Sequence, residues 1–149
     1  MTQAGAILRR KEDIAMTQTM IEGGCLCGAV RYRVDPHAMG ATRCHCETCR
    51  RSIGAPAAAW TIFPSEGFAF VGTPKVFRSS PHIERTFCGD CGTSLAYRSE
   101  RRPDVVDVLT ATLDAPEAYP PDREIWLGEK VAWDLVDASL PNYPRSSKG

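Results

Sequence analysis

The stretch IERTFCGDCGTSLAYRS, residues 83–99, decides how the rest of the chain is read. IERTF (83–87) and SLAYRS (94–99) are two β-prone runs on either side of a short Gly-containing turn, which predicts a hairpin. At its tip stands Cys88-Gly89-Asp90-Cys91-Gly92. A C-x-x-C-G turn brings two thiolates together, and the final glycine supplies the positive φ that closes it. This is the pattern of a zinc knuckle, and it offers half of a tetrahedral site.

The other half lies upstream in GGCLCG (23–28). On an extended backbone, residues i and i+2 point to one side, so Cys25 and Cys27 can meet one ion. Cys25, Cys27, Cys88 and Cys91 supply the four thiolates of a closed structural site. An ion held there ties together chain ends separated by 60 residues between Cys27 and Cys88. Structural zinc contributes about 10–16 kcal/mol in small peptides, against about 5–15 kcal/mol of net stability for a domain.

Outward from these turns the pattern is mainly β. In AVRYRV, Val30, Tyr32 and Val34 alternate with Arg31 and Arg33, a period of two. AAAWTIF (57–63) is a further strand. FAFV (68–71) and KVFRS (75–79) flank Gly72-Thr73-Pro74 and read as a hairpin. VVDVLTATL (105–113) is the longest β-branched run and the candidate central strand. EIWLGE (124–129) reads as a strand, and 132–140 as a last strand or a short helix. Residues 46–53 are the clearest helix.

The expected division is an N-terminal tail at 1–19, one domain at 20–141 and a C-terminal tail at 142–149. Of 149 residues, 43% are hydrophobic, and no run is long and apolar enough for a membrane helix. Lys+Arg and Asp+Glu both number 18, which disfavours nucleic-acid binding, because phosphate neutralisation needs a basic surplus. The N-terminal sequence has no secretory pattern, and seven cysteines do not make a fully paired disulfide framework. These features predict a reduced, cytoplasmic protein.

The remaining cysteines fall in Cys44-His45-Cys46-Glu47-Thr48-Cys49-Arg50-Arg51. Three thiolates and an exchangeable fourth position are the arrangement of a catalytic zinc site. With zinc, three thiolates give a formal charge of −1, which makes the ion poor at acidifying water but a good partner for another sulfur. The predicted chemistry is thiol activation. His45 is expected to face away from the ion and to pack or hydrogen bond. Arg50 and Arg51 are candidate partners for substrate carboxylates, or simply solvated. Spacing alone also permits Cys46 and Cys49 to join Cys88 and Cys91, leaving Cys25, Cys27 and Cys44 as the open set.

GGCLCGAVRY, CHCETCRRSIGAPAAAW, FCGDCGTSLAYRS and EIWLGEKVAWDLVDASLP, in that order, resemble the glutathione-dependent formaldehyde-activating family, which includes centromere protein V-like proteins. The resemblance implies a β-tent-like fold of stacked antiparallel sheets organised around a structural zinc. It implies two zinc ions per chain: one at Cys25, Cys27, Cys88 and Cys91, the other, catalytic, at Cys44, Cys46 and Cys49. The implied partners are glutathione and formaldehyde, joined as S-hydroxymethylglutathione, formally carbon–sulfur lyase chemistry. The family often carries Lys where Arg51 stands and His where Glu124 stands.

A zinc scaffold for a protein partner is the alternative function. Zinc storage or thiol redox sensing is a third. Trp60, Phe63 and Trp126 read as core or pocket lining, Asp107 and Asp114 flank the long strand, and Arg85 and Tyr97 are expected to support the knuckle.

Overall fold

A β-branched run can be buried on both faces, and Val105–Leu109 is buried throughout, the polar Asp107 at its middle included. In the computed structural model, which describes residues 19–148, this segment is the middle strand of the larger of two sheets. In chain order the strands are β1 (Ile21–Gly24), β2 (Arg31–Val34), β3 (Gly40–Cys44), β4 (Ala58–Pro64), β5 (Ala69–Val71), β6 (Lys75–Ser80), β7 (Ile83–Phe87), β8 (Ser94–Ser99), β9 (Val105–Leu109) and β10 (Arg123–Ile125), with helix α1 (Glu47–Ile53) between β3 and β4. One sheet has the order β1-β2-β5, the other β10-β3-β4-β9-β8-β7-β6. Pairing is antiparallel except for β10, which lies parallel to β3. The expected mainly β fold of stacked antiparallel sheets is what forms. Residues 1–18 of the expected N-terminal tail lie outside the described residues.

The predicted alternation in β2 orders the core. Val30, Tyr32 and Val34 are buried and meet Phe63, Leu95, Val106 and Val108 from the inner face of the larger sheet. Each fully buried side chain of this kind contributes about 1.5–3 kcal/mol by leaving water. Trp60 and Leu109, paired across β4 and β9, face the opposite way and form a second cluster with Cys44, Cys49 and Ala58. The larger sheet thus has an apolar cluster on each face, and each cluster contains cysteines.

The hairpin of β7 and β8 forms as predicted, with Arg85 opposite Tyr97. The expected pairing of FAFV with KVFRS does not form: β5 joins β2 in the small sheet and β6 joins β7 in the large one. The Gly72-Thr73-Pro74 turn carries the chain from one sheet to the other. EIWLGE is a strand only to Ile125, because Trp126 adopts a left-handed conformation (φ 60°) and a 3-10 turn follows at Leu127–Glu129. Residues 132–140 form neither strand nor helix but turns. Beyond 141, backbone hydrogen bonds join Tyr143 to Glu124, Leu127 to Tyr143 and Trp126 to Arg145. None of the helices among the described residues is long and apolar enough to cross a membrane.

Two cysteine centres on opposite faces of one sheet

The tip of the β7–β8 hairpin and the β1–β2 turn converge as their spacing requires. The turn at Cys88 is closed by the Gly92 N–H donating to the Cys88 carbonyl at 2.9 Å, with Gly92 at φ 78°. Across from it, the Leu26 N–H donates to Thr93 Oγ1 at 3.1 Å, and the Val30 N–H to Cys25 Sγ at 3.2 Å. The four sulfurs of Cys25, Cys27, Cys88 and Cys91 all lie within 4.8 Å of one another. Cys25 and Cys27 are 3.6 Å apart and Cys27 and Cys88 3.8 Å. Thiolates about 2.3 Å from a tetrahedral ion stand about 3.8 Å apart, so this group fits a metal. Hydrogen bonds from the Thr93 hydroxyl and backbone draw Cys91 down to about 5, leaving a thiolate ready for a soft cation.

The second group lies at the end of β3 and in α1. Cys44 pairs with Ala58 and Cys46 caps the helix, its sulfur accepting from the Cys49 N–H at 3.4 Å. At the other helix end Gly54 takes the left-handed conformation and donates to the Arg50 carbonyl at 2.8 Å. The three sulfurs lie within 4.8 Å of one another and form a group of three among the described residues. Cys44 and Cys49 are buried, and Cys46 is half-buried. Hydrogen bonds from Cys44 and Cys49 pull Cys46 down to about 2, and the bond to Cys46 pushes Cys44 far above the ordinary thiol range. Three convergent soft donors fit a thiophilic metal as well as the first group does. In the structure neither group borrows from the other, so the alternative pairing of Cys46 and Cys49 with Cys88 and Cys91 does not arise.

His45, between two of these cysteines, turns away from them, as expected. It is fully buried, with Nε2 2.5 Å from Glu124 Oε2 and Nδ1 3.4 Å from Asp134 Oδ2. Glu124 is also buried, and its Oε1 accepts from Arg43 Nη1 at 3.2 Å and from the Asp137 N–H at 3.2 Å. Arg43 Nη2 reaches Asp134 Oδ2 at 2.9 Å. This network fastens the Cys44–Cys46 segment to β10 and to the turns after it. Sequence reasoning noted Glu124 only as a departure from the family pattern.

Arg50 and Arg51 line an open cleft of about 380 Å³ with Gly54, Ala55, Pro56, Val131 and Trp133. Arg50 Nε donates to the His45 carbonyl at 3.3 Å, and Arg51 pairs with Glu47 at 2.8 Å one helical turn away. Trp60 and Phe63 are core, on opposite faces, and Trp126 packs at the edge of the three-cysteine cluster. Asp114 pairs with Arg31. Asp107 is buried on Arg102 Nη2 at 2.7 Å, and burial pushes its carboxyl up.

Arg85 and Tyr97 correct an expectation. They do not support the knuckle but lie beneath α1: Arg85 Nη2 is 3.8 Å from Cys49 Sγ, and its guanidinium stacks 5.1 Å above the Tyr97 ring. Tyr97 in turn packs on Trp60, ring centroids 6.0 Å apart. Strand parity was the available signal. Arg85 and Cys88 are three residues apart, and an odd separation on a strand sends side chains to opposite faces.

A family model described as glutathione-dependent formaldehyde-activating enzyme matches residues 20–129. A protein of Halomonas elongata, provisionally named glutathione-dependent formaldehyde-activating enzyme, is 30% identical over 144 residues, covering 86% of this chain and 91% of its own. An uncharacterised lyase of Schizosaccharomyces pombe is 33% identical over 84 residues, 55% of this chain and 61% of that protein. The crystal structure of a Rhodobacter sphaeroides protein shares the fold, with a TM-score of 0.54 at 20% identity over 82% of this chain and 98% of the other.

Proposed function

The chain belongs to the glutathione-dependent formaldehyde-activating enzyme family, and from that premise we propose that it adds glutathione to formaldehyde or a related small aldehyde. The observation that carries this reading is the group of exactly three sulfurs at Cys44, Cys46 and Cys49, with His45 committed to Glu124 and unable to close the set. We assign these three as ligands of a catalytic zinc, and Cys25, Cys27, Cys88 and Cys91 as ligands of a structural one. When bound at the three-cysteine group, zinc lowers the pKa of a coordinating substrate thiol, so that a nucleophilic thiolate exists at neutral pH.

The addition is redox-neutral. A carbon–sulfur bond forms at the aldehyde carbon, the carbonyl π pair moves to oxygen, and the thiol's proton ends on that oxygen. The chain's own residues hold and orient. Cys44 is fixed by the β3–β4 pairing, Cys46 and Cys49 by the first turn of α1. Arg50 and Arg51, on the same helix, face the cleft with Trp133 and suit the carboxylates of a peptide-like thiol. Seven free thiols suit a reducing compartment such as the cytoplasm.

NMR exchange between free glutathione and its formaldehyde adduct tests the proposal. The zinc-loaded protein is expected to accelerate exchange, and Cys49→Ser to return it to the uncatalysed rate. Fully loaded protein without effect on this or any other aldehyde–thiol pair would favour a zinc scaffold for a protein partner.

A further inference from the structure

Arg85 is a buried cation without a carboxylate. It is 8% exposed, and none of the ion pairs among the described residues includes it. Its side-chain hydrogen bonds reach three hydroxyls, Ser79 Oγ at 3.3 Å, Ser52 Oγ at 3.2 Å and Thr48 Oγ1 at 3.4 Å, and then Cys49 Sγ at 3.8 Å. A buried charge is costly unless an opposite charge meets it. Hydroxyls are neutral, so the available anion is the sulfur cluster.

The charges also match. Three thiolates around a divalent ion leave one net negative charge, and the guanidinium carries one positive charge. Its placement is built in from both sides: β7 and the Tyr97 ring hold it from below, and Thr48 and Ser52 of α1 from above. Because Thr48, Cys49 and Ser52 belong to one short helix, the fork that meets them also sets how α1 presents Cys49.

We propose that Arg85 is the counter-charge and positioning residue of the three-cysteine centre, neutralising the metal–thiolate charge and fixing Cys49 in its ligand position. The inference rests on reading Cys44, Cys46 and Cys49 as a metal centre, and not on which aldehyde or thiol that centre serves.

The test is competition between the zinc-loaded protein and a graded chelator. Native mass spectrometry counts the ions, and alkylation mapping identifies which cysteines are freed. In Arg85→Met, Cys44, Cys46 and Cys49 are expected to lose their ion at a free-zinc level about 10- to 100-fold higher than in wild type, the range for removing a group that orients metal ligands. The four-cysteine centre should release its ion as in wild type. Arg85→Lys, which keeps the charge, should recover a large part of the loss. Should Arg85→Met not fold, Arg85→Gln, whose neutral amide extends only to about the Nε position beside Ser79, is expected to show the same selective loss. Equal zinc retention in wild type and the neutral variants would overturn the proposal, as would Arg85→Lys behaving like Arg85→Met. A wild type that binds one ion per chain would overturn the metal-centre reading, and this inference with it.

Discussion

The two cysteine groups are built from the same donor and differ in almost everything around it. Cys25, Cys27, Cys88 and Cys91 come from two turns far apart in sequence and meet at the end of the core between the sheets. Their supports are local, backbone N–H groups and Thr93, and among the described residues no charged side chain hydrogen-bonds to their sulfurs. Cys44, Cys46 and Cys49 lie within six residues on the other face of the large sheet, under a short helix. Around them stand charged groups tied down from distant elements: Arg85 from β7, Glu124 from β10, and Asp134 from the turns that follow. Four ligands with neutral support suit a centre that holds the chain together. Three ligands with charged, interlocked support suit one that must keep its shape while a fourth position exchanges.

Exchanging one cysteine in each group strains this comparison hardest. Cys88→Ser removes a ligand from the closed group, and a loss comparable to the whole net stability, about 5–15 kcal/mol, should leave the protein unfolded by circular dichroism. Cys49→Ser should remain folded, carry one ion fewer and lose activity to background. Unfolding in both would erase the division between the centres.

Next in size is Glu124→Ala. Removing a buried carboxylate leaves His45 Nε2 without its partner and Arg43 held by Asp134 and the Leu135 carbonyl alone, a change that costs about 3–5 kcal/mol. Urea unfolding should show that loss, with metal leaving Cys44, Cys46 and Cys49 before the four-cysteine group. A loss below about 1 kcal/mol would mean the network does not hold the segment. Smallest is Arg50→Ala, expected to raise KM for glutathione about threefold to tenfold, as for a partly solvated charge-assisted contact. A KM unchanged from wild type would move carboxylate recognition out of the cleft.

What the sequence disclosed follows from the range of the forces involved. The β7–β8 hairpin, the alternation in β2 and the helix after Cys46 are local, and turn residues, period and capping specify them. Gly72-Thr73-Pro74 marks a change of direction equally locally, but a turn does not state which neighbours its strands find, and β5 and β6 found different sheets. The short β10, parallel to β3 and 81 residues from it at the Arg43–Glu124 contact, has no local signal. The two cysteine groups were readable because cysteine spacing is itself chemical information. Glu124 and Asp134 were not, because they meet His45 and Arg43 only through tertiary packing, and for Arg85 strand parity alone gave the face it takes.

The most direct test of the central claim, that the three-cysteine centre takes a substrate thiol, is the absorption spectrum of the cobalt-substituted protein titrated with glutathione. Sulfur-to-metal charge-transfer absorption that grows with glutathione in wild type, above that of the protein's own cysteines, and does not grow in Cys49→Ser is the predicted result. A spectrum of the doubly loaded protein that glutathione leaves unchanged would contradict the account.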